Sequence, residues 1–375
     1  MRIAYVALHF DSRIMNSGVG NKIQTQVRLW RELGHEARLF LLSRNAIDLE
    51  NVETHIFTPG IHFPVLRLIL RESDRMLALS RLVNSVASYK PDLIYLRYGL
   101  FTFPLQNLFK VAPVVVEINT NDVVEYRYRG LFFYWMNRFT RRIVLGRASG
   151  LAPVSQEIAQ LPQNRRFNKP MRVIANGIDL QRYSELPAPS NSKPVLVMVA
   201  SPGYDWHGID KLCYLASQCP DLKIIIVGYS ADDIDKSIPP NLELPGFVSN
   251  DRIKNVLARA DVAFGTLAWH RIKMEEGSTL KVVEALAYGI PVILGYDDTN
   301  LSRLGCDLIL RLPNTEQNVI DNIQQIRNFA YRMIGKRINR ELVEPRISQR
   351  EKEKSRLAFF EEILGTQKTE RKNKL

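Results

Sequence analysis

The sequence predicts an α/β protein built from two doubly wound, parallel-sheet domains. Short, continuously apolar segments alternate with helical patterns along both halves of the chain. Strands that are apolar at every position are typical of parallel sheets with helices on both faces. A proline- and serine-rich segment at residues 185–194 interrupts this alternation, which then starts again. The length of 375 residues is also long for one domain.

The first domain is predicted to span residues 1–180. Its first helix is indicated at 21–33, where Ile23, Val27 and Trp30 fall on one helical face. Continuous apolar strands precede and follow this helix. The predicted strands are 3–8, 37–42, 52–57, 92–96, 113–118, 150–154 and 171–175.

The second domain is predicted to span residues 181–347, and a third segment follows at 348–375. We expect this last segment to form a helix that packs back on the first domain, with a basic disordered tail after Gly365. The strands predicted for the second domain are 195–200, 222–227, 262–265, 290–294 and 308–310.

Composition and charge narrow the class of protein. Hydrophobic residues make up 46% and charged residues 24%, which is typical of a soluble globular protein. No apolar run is long enough to predict a membrane-spanning helix. The three cysteines form no metal-binding pattern, and a sparse, odd number fits a reducing cytoplasm. The net charge is +12, and residues 1–150 carry 20 Lys and Arg against 12 Asp and Glu, so the first domain is predicted to be basic.

One segment of the first domain, residues 126–147, combines arginines with aromatic side chains and has no acidic residue. A basic amphipathic helix with interfacial aromatics is typical of a membrane-surface element. Packing in the core and binding of single-stranded nucleic acid are the alternatives. The arginines of this segment are Arg127, Arg129, Arg138, Arg141, Arg142 and Arg147.

Two carboxylates eight positions apart, Glu276 and Glu284, are the strongest functional signal. Glu276 lies in a small loop at a predicted helix start, where unpaired backbone N–H groups suit a phosphate. Glu284 lies deeper along the same helix. The two carboxylates could therefore bind groups on either side of a diphosphate, as in a nucleotide-sugar. The structural alternative is that Glu276 caps the helix and Glu284 is solvated.

The segment 276–293 resembles the E-x7-E signature of glycosyltransferase family 4, in the branch with Ser-x-Leu-Lys and Ala-Tyr-Gly-x-Pro-Val. Residues 34–36 and 176–179 are similar to two further elements of that family, and the resemblance covers nearly the whole chain. It implies the GT-B fold, with two Rossmann-like domains facing across a cleft. It also implies transfer of a sugar from a nucleotide-sugar to an acceptor hydroxyl with retention of configuration, and with neither a metal nor another cofactor.

The resemblance gives roles to individual side chains. Glu276 would bind hydroxyl groups of the donor sugar, Glu284 the ribose, and Lys281 with His207 the diphosphate. Most members of the family carry an arginine and then a lysine before the glycine that corresponds to Gly208. Here His207 takes the place of the lysine, and no arginine precedes it at the usual spacing. Because a neutral imidazole binds phosphate more weakly than lysine does, other cations must compensate.

Arg271 and Lys273 flank the carboxylate loop and are the candidate compensating cations. Val248 lies in a turn that, in the family, contacts the nucleotide base. The remaining residues expected to bind the donor are Gly277, Ser278, Thr279 and Leu280.

In the first domain, Gly18 lies in the loop 16–20, where a glycine would let the backbone approach a ligand closely. Arg97, Glu117 and Asn119 come at the carboxyl ends of two predicted strands. Ligands of open α/β sheets bind at such ends, so these residues are predicted to face the acceptor.

The resemblance suggests assembly of bacterial surface polysaccharide on a lipid carrier. The expected partners are a nucleotide-sugar donor, a lipid-linked or saccharide acceptor and an anionic membrane surface, but no nucleic acid. The expected location is cytoplasmic and peripheral on the inner face of the cytoplasmic membrane. Two other functions stay open. A nucleotide-sugar 2-epimerase of the same fold needs no acceptor, and a non-enzymatic nucleic-acid-binding protein would use the basic segment.

Overall fold

The computed structural model describes residues 1–15, 17–57, 64–234, 237–302 and 304–372 of the chain. The chain divides into two compact units. The first unit comprises Met1–Ala175 together with Gln349–Leu375, and the second comprises Asn176–Ser348. The sequence analysis placed the corresponding boundaries after residues 180 and 347.

The first unit is built on a six-stranded parallel sheet with the order β3-β2-β1-β4-β5-β6. The central strand, β1, pairs with β2 on one side, where Ile3 lies opposite Ala37, and with β4 on the other side, where Ile3 lies opposite Leu93. This order is that of a doubly wound sheet. Strands β1 to β3 are added toward one edge of the sheet and β4 to β6 toward the other, so the strand order reverses between β1 and β4. The strands are β1 Arg2–Phe10, β2 Glu36–Ser43, β3 Val52–Ile56, β4 Leu93–Arg97, β5 Val114–Ile118 and β6 Gly150–Pro153.

Helices connect these strands. A Cβ atom at Gly20 would lie 2.2 Å from the carbonyl oxygen of Met15, so only glycine lets α2 start this close to α1. The predicted strand at 171–175 does not form, and Met171 makes only an isolated bridge with Leu151. The helices are α1 Ser12–Met15, α2 Gly18–Glu32, α3 Pro64–Tyr89, α4 Asp122–Tyr128, α5 Leu131–Val144, α6 Gln156–Gln160 and α7 Pro162–Arg165.

The second unit repeats this topology. Its large sheet is parallel and has the order β14-β12-β10-β7-β8-β9, and a two-stranded sheet joins β11 to β13. The prediction of two doubly wound parallel-sheet domains is therefore confirmed. The strands are β7 Val195–Val199, β8 Lys223–Val227, β9 Leu242–Glu243, β10 Val262–Phe264, β11 Glu276–Gly277, β12 Val292–Leu294, β13 Asp297–Asp298 and β14 Ile309–Arg311.

Helices cover both faces of the second sheet. Leu196 and Ile226 belong to one apolar cluster, and Val197 and Ile225 belong to the other. Successive strand residues point to opposite faces, so apolar residues at every position supply both clusters. The helices are α8 Ile209–Gln218, α9 Asn250–Ala258, α10 Leu280–Ala287, α11 Ile323–Met333 and α12 Arg340–Ile347.

The last helix, α13 (Gln349–Lys372), belongs to the first unit. Trp30 of α2 donates its indole N–H to Glu353 Oε2 at 2.6 Å, and Arg356 Nε lies 3.0 Å from the Tyr95 hydroxyl. The helix continues to Lys372, where the sequence analysis expected a disordered tail after Gly365. None of the described helices is long and apolar enough to cross a membrane.

Candidate active site

The loops that follow the strands of the second unit carry most of the predicted donor-binding residues. Sheet order changes between β7 and β10, and the carboxyl ends at such a point are where open α/β sheets bind ligands. The Leu267 amide, after β10, donates to the His207 carbonyl, after β7, at 3.2 Å. The Gly295 amide, after β12, donates to the Thr266 carbonyl at 3.1 Å. These bonds tie three loops together at one edge of the sheet.

His207 ends a 3-10 helix, Asp205–His207, that follows β7. Gly208 then takes a left-handed φ of 76°, and a Cβ there would lie 2.9 Å from the Leu267 Cβ. The Nδ1 atom of His207 is buried and has no hydrogen-bond partner among the described residues. Burial and, after it, the charge of Lys281 lower the pKa of the imidazole to about 2, although a hydrogen bond with the Ser201 backbone opposes this shift, so the ring is neutral.

Lys281 is the second residue of α10. Its Nζ atom is buried and is likewise unpartnered within the described chain. Burial alone lowers the pKa of this ammonium group to about 7. The first amides of a helix have no partner within the helix, so Lys281 adds a cation to a place that already favours an anion.

The other buried lysine of this region, Lys211, has a different role. Its Nζ donates to the carbonyl oxygens of Leu267 at 3.2 Å and Thr315 at 2.8 Å, and to Asn318 Oδ1 at 2.9 Å. These three acceptors occupy all three N–H groups of the ammonium. Lys211 therefore stabilises the loop after β10.

Glu284 lies on the next turn of α10, beside Tyr183 and Tyr288, whose rings form an edge-to-face pair at 5.0 Å. Burial raises the pKa of the Glu284 carboxyl to about 7, although the Tyr183 hydroxyl opposes this shift. Glu284 is thus half-buried rather than fully solvated on the polar face of the helix. The two tyrosines flanking this carboxylate were not assigned a role from the sequence.

Glu276 lies in β11, which pairs in parallel with β13, and not at the start of a helix as the sequence analysis expected. Helix α10 begins at Leu280 with Thr279 as its N-cap residue, so Glu276 does not cap it. The Trp269 indole donates to the Glu276 carbonyl oxygen at 3.0 Å. A Cβ at Gly277 would lie 2.8 Å from the Trp269 ring, so the indole packs directly against the backbone of β11.

Ser278 and Thr279 are held by protein partners. Ser278 Oγ accepts from the Asn176 amide at 2.9 Å and from Asn300 Nδ2 at 3.3 Å. Thr279 Oγ1 lies 2.7 Å from the Tyr296 hydroxyl. These contacts position the loop that leads into α10. Asn300 carried no recognisable signal in the sequence, because it meets Ser278 only through the fold.

The two proposed compensating cations are placed differently. Arg271 forms ion pairs with Asp210, at 2.7 Å, and with Glu316, and these carboxylates raise its pKa. Its guanidinium is thus already neutralised by protein groups, which argues against the expected role in diphosphate binding. Lys273 is exposed and takes a left-handed φ of 54°.

Val248 and Leu280 are partly buried and pack against the apolar cluster that contains Val283. Their side chains contribute to the core of the second unit, so contact with a donor would have to come from their backbone. None of the described residues forms a group of three His, Cys, Asp or Glu side chains that could hold a metal ion.

The residues predicted to face an acceptor lie in the first unit, and here the structure corrects the sequence analysis. Glu117 is fully buried. Its oxygens accept from Lys22 Nζ at 2.6 Å, Arg97 Nη1 at 3.0 Å and the Tyr5 hydroxyl at 3.1 Å. Burial by itself would raise the pKa of Glu117, but the Lys22 and Arg97 charges outweigh it and hold that pKa below its usual range. Glu117 is the counter-ion of a buried cluster and cannot reach a ligand.

The other first-unit residues predicted to face an acceptor are less deeply buried than Glu117. Asn119 is partly exposed, and its Oδ1 lies 3.3 Å from Lys22 Nζ. Gly18 is exposed at the start of α2. Asn16, from the same predicted loop, lies outside the described residues. Lys22 was missed because a lysine within an amphipathic helix pattern normally points to solvent.

Two doubly wound parallel-sheet units are the architecture of the GT-B glycosyltransferases. The chain belongs to the family 4 glycosyltransferases. Residues 16–182 match the family model "Glycosyltransferase Family 4", and residues 193–328 match the model "Glycosyl transferases group 1". Together the two models cover most of the chain, so the resemblance noted from the motifs is confirmed. No curated protein matches the sequence.

Solved structures share the fold. Sucrose-phosphate synthase from Thermosynechococcus elongatus superposes with a TM-score of 0.66 at 15% identity, covering 97% of this chain and 99% of that one. HepE from Anabaena, in complex with UDP and glucose, gives 0.62 at 16% identity over 96% and 99%. The lipopolysaccharide outer core galactosyltransferase WaaB gives 0.63 at 12% identity over 96% and 100%. At these identities the similarity establishes the fold alone.

Proposed function

We propose that the protein is a retaining glycosyltransferase that uses a nucleotide-sugar donor bound at the strand ends of the second unit. The observation that carries this proposal is a pair of buried nitrogens, Lys281 Nζ and His207 Nδ1, which lie near the start of α10 and have no partner in the described part of the chain. Buried polar atoms without a partner are rare because they cost free energy. A diphosphate would supply an acceptor to Lys281 and, in the tautomer that carries the ring proton on Nδ1, to His207.

The two carboxylates complete the donor site. Glu276 would accept hydrogen bonds from hydroxyl groups of the sugar, and Glu284, framed by Tyr183 and Tyr288, from those of the ribose. HepE, which shares the fold, is described in complex with UDP and glucose. This precedent supports a nucleotide-sugar in the corresponding place.

The proposed reaction needs no protein nucleophile. The bond between the sugar C1 and the diphosphate oxygen breaks, and the acceptor oxygen forms a bond to C1 on the same face. The acceptor proton passes to the departing phosphate oxygen. Lys281 and the first amides of α10 stabilise the charge that develops on the diphosphate, and His207 donates a hydrogen bond from a neutral ring. This is catalysis by preorganised electrostatics.

The acceptor is proposed to be a lipid-linked or free saccharide in the assembly of a surface polysaccharide. WaaB, a lipopolysaccharide galactosyltransferase, offers a precedent within the same fold. The basic first unit would then work at the inner face of the cytoplasmic membrane, with the rest of the protein in the cytoplasm.

The test is a thermal-shift screen of nucleoside diphosphates and their sugar conjugates. A ligand present at a hundred times its Kd stabilises the folded state by about 2.7 kcal/mol. We expect one class of nucleotide to raise the Tm of the parent and not that of Lys281→Met. The matched control is Lys336→Met, which removes an exposed lysine of the same unit. Equal shifts in parent and Lys281→Met would overturn the site.

Analysis of the reaction products distinguishes sugar transfer from epimerisation of the donor. Release of nucleoside diphosphate that depends on an added acceptor supports transfer. Conversion of the donor to its C2 epimer in the absence of an acceptor would show a 2-epimerase instead. Strong retention on nucleic acid with no nucleotide-sugar bound would favour the non-enzymatic alternative.

A further inference from the structure

Helix α5 exposes a strip of large apolar side chains. Leu131 is 68% exposed, Phe132 70%, Trp135 49% and Phe139 71%. Leu131, Trp135 and Phe139 are spaced by four residues and Phe132 lies beside them, so all four share one face of the helix. A contiguous exposed apolar patch on a folded protein marks an interaction site.

The opposite face of α5 anchors the helix in the first unit. Asn137, Arg141 and Val144 are buried. Arg141 Nε and Asn137 Nδ2 each donate to Asp122 Oδ2 at 2.7 Å, and Arg141 also contacts Asn164. The helix is therefore fixed by its polar side and turns its aromatic side outward. Arg141, which the sequence analysis counted among the arginines of the basic segment, is therefore inside and does not belong to the basic surface.

A cluster of arginines borders the aromatic strip. Arg138 and Arg142 are exposed on α5, and Arg166 follows the end of α7. Burial and the charges of Arg141, Arg138 and Arg142 lower the pKa of Arg166, which shows that these guanidinium groups lie close together. Within the described part of the chain, Arg138, Arg142 and Arg166 have no ion-pair partner. Such a cluster favours an anionic partner.

We propose that α5 and Arg166 form a docking surface for an anionic phospholipid bilayer. The helix lies in the plane of the membrane, and Leu131, Phe132, Trp135 and Phe139 enter the boundary between headgroups and acyl chains. Arg138, Arg142 and Arg166 bind lipid phosphates at the headgroup level. This deepens the membrane location proposed above, and it does not depend on the donor site.

Charge decides between a membrane and a second copy of the chain. Two copies that packed α5 against α5 about a two-fold axis would bring their arginine clusters together with no counter-charge. An anionic bilayer supplies both the apolar phase for the aromatic strip and the negative charge for the arginines.

Vesicle binding tests the proposal. The full-length protein is mixed with phosphatidylcholine vesicles that contain 30% phosphatidylglycerol, and with pure phosphatidylcholine vesicles, and sedimented. We expect binding to the anionic vesicles that weakens with salt but does not vanish. Lipids brominated near the carboxyl end of the acyl chain should quench Trp135, and the quenching should be absent from Trp135→Phe.

Two double variants separate the apolar contribution to vesicle binding from the electrostatic one. Phe132→Ser with Phe139→Ser should weaken binding at every salt concentration, by at least about tenfold for each side chain. Its control, Ile320→Ser with Leu342→Ser, removes exposed apolar residues of the second unit and should bind as the parent does. Arg138→Gln with Arg142→Gln should weaken binding by about fivefold per arginine and flatten its salt dependence. The control for charge is Lys193→Gln with Lys336→Gln, two exposed lysines of the second unit.

The surface substitutions should leave the Tm unchanged, because the altered side chains are exposed. Absence of vesicle binding by the parent, or full binding by the aromatic double variant, would overturn the proposal. So would a concentration-dependent dimer that the aromatic double variant abolishes, because a second copy would then cover the strip. Nucleotide-induced thermal shifts, measured on the same variants, show separately whether the donor site is correct.

Discussion

Lys281 and His207 lie close enough for the lysine charge to act on the imidazole, and each side chain has one buried nitrogen. Lys281 Nζ and His207 Nδ1 both lack a hydrogen-bond partner among the described residues, and the lysine charge lowers the pKa of the imidazole. A buried polar atom without a partner costs about 1–3 kcal/mol. The ligand-free protein therefore carries a local cost that an anionic ligand would remove.

Lys281→Met should stabilise the ligand-free protein while it abolishes nucleotide binding. The substitution removes a buried amino group that has no partner among the described residues, and the apolar side chain is of similar length. We expect the Tm to rise by at least about 2 °C at pH 8. Lys211→Met is the matched control, because it removes the three hydrogen bonds that this buried ammonium group donates and should lower the Tm. If both variants are destabilised alike, Lys281 has a structural role.

Nucleoside diphosphate binding should take up protons at pH 8. The pKa of Lys281 is about 7 in the free protein, and a bound dianion raises it. The affinity for the nucleotide is then highest below pH 7, and it falls as the pH rises from 7 toward the raised pKa of Lys281 in the complex. Titration calorimetry in buffers of different ionisation enthalpy should give an uptake of about one proton for the parent and none for Lys281→Met. An uptake of zero for the parent would contradict this assignment.

Lys281→Ala should cost more activity than His207→Ala. A charged donor to the diphosphate contributes about 1.5–3 kcal/mol and a neutral one about 0.5–1.5 kcal/mol. We therefore expect kcat/KM for the donor to fall by about a hundredfold in the first variant and by about tenfold in the second. His207→Lys restores the residue usual in the family and should retain activity. A larger loss in His207→Ala would indicate that the imidazole protonates the leaving phosphate.

Glu276→Gln and Glu284→Gln should each leave the protein folded and abolish or greatly weaken transfer. Glu284 adds a test by pH. Its folded-state pKa is raised to about 7 from an ordinary 4.5, so the folded state loses stability as the pH rises between these values. The stability of Glu284→Gln relative to the parent should therefore increase from pH 5 to pH 8 in urea denaturation. Normal turnover in both variants would refute the carboxylate site.

Arg141→Gln should destabilise the first unit, whereas Arg142→Gln should not. Arg141 is buried against Asp122, and loss of one partner of a buried ion pair costs about 3–5 kcal/mol. Arg142 is the next residue but is exposed, so its removal should change stability by less than about 0.5 kcal/mol. Urea denaturation of the two variants measures both values. Equal stability would show that the buried pair does not form.

The sequence alone was sufficient for the fold class and the family. Apolar continuity along strands and the spacing of Glu276 and Glu284 are local properties, and each can be recognised without knowing what packs against it. The two parallel sheets and the two family models confirm these inferences. The roles of the donor-site residues stay predictions, and their tests are given above.

Only the tertiary structure decided which charged side chains are available to a ligand. Lys211 and Lys281 both follow loops of the second unit. Lys211 has three acceptors and Lys281 has none among the described residues, because the acceptors come from loops distant in sequence. Glu117 is neutralised by Lys22, which lies in a different element. Burial and pairing depend on contacts between distant segments, and these contacts, unlike periodicity, leave no trace in the local sequence.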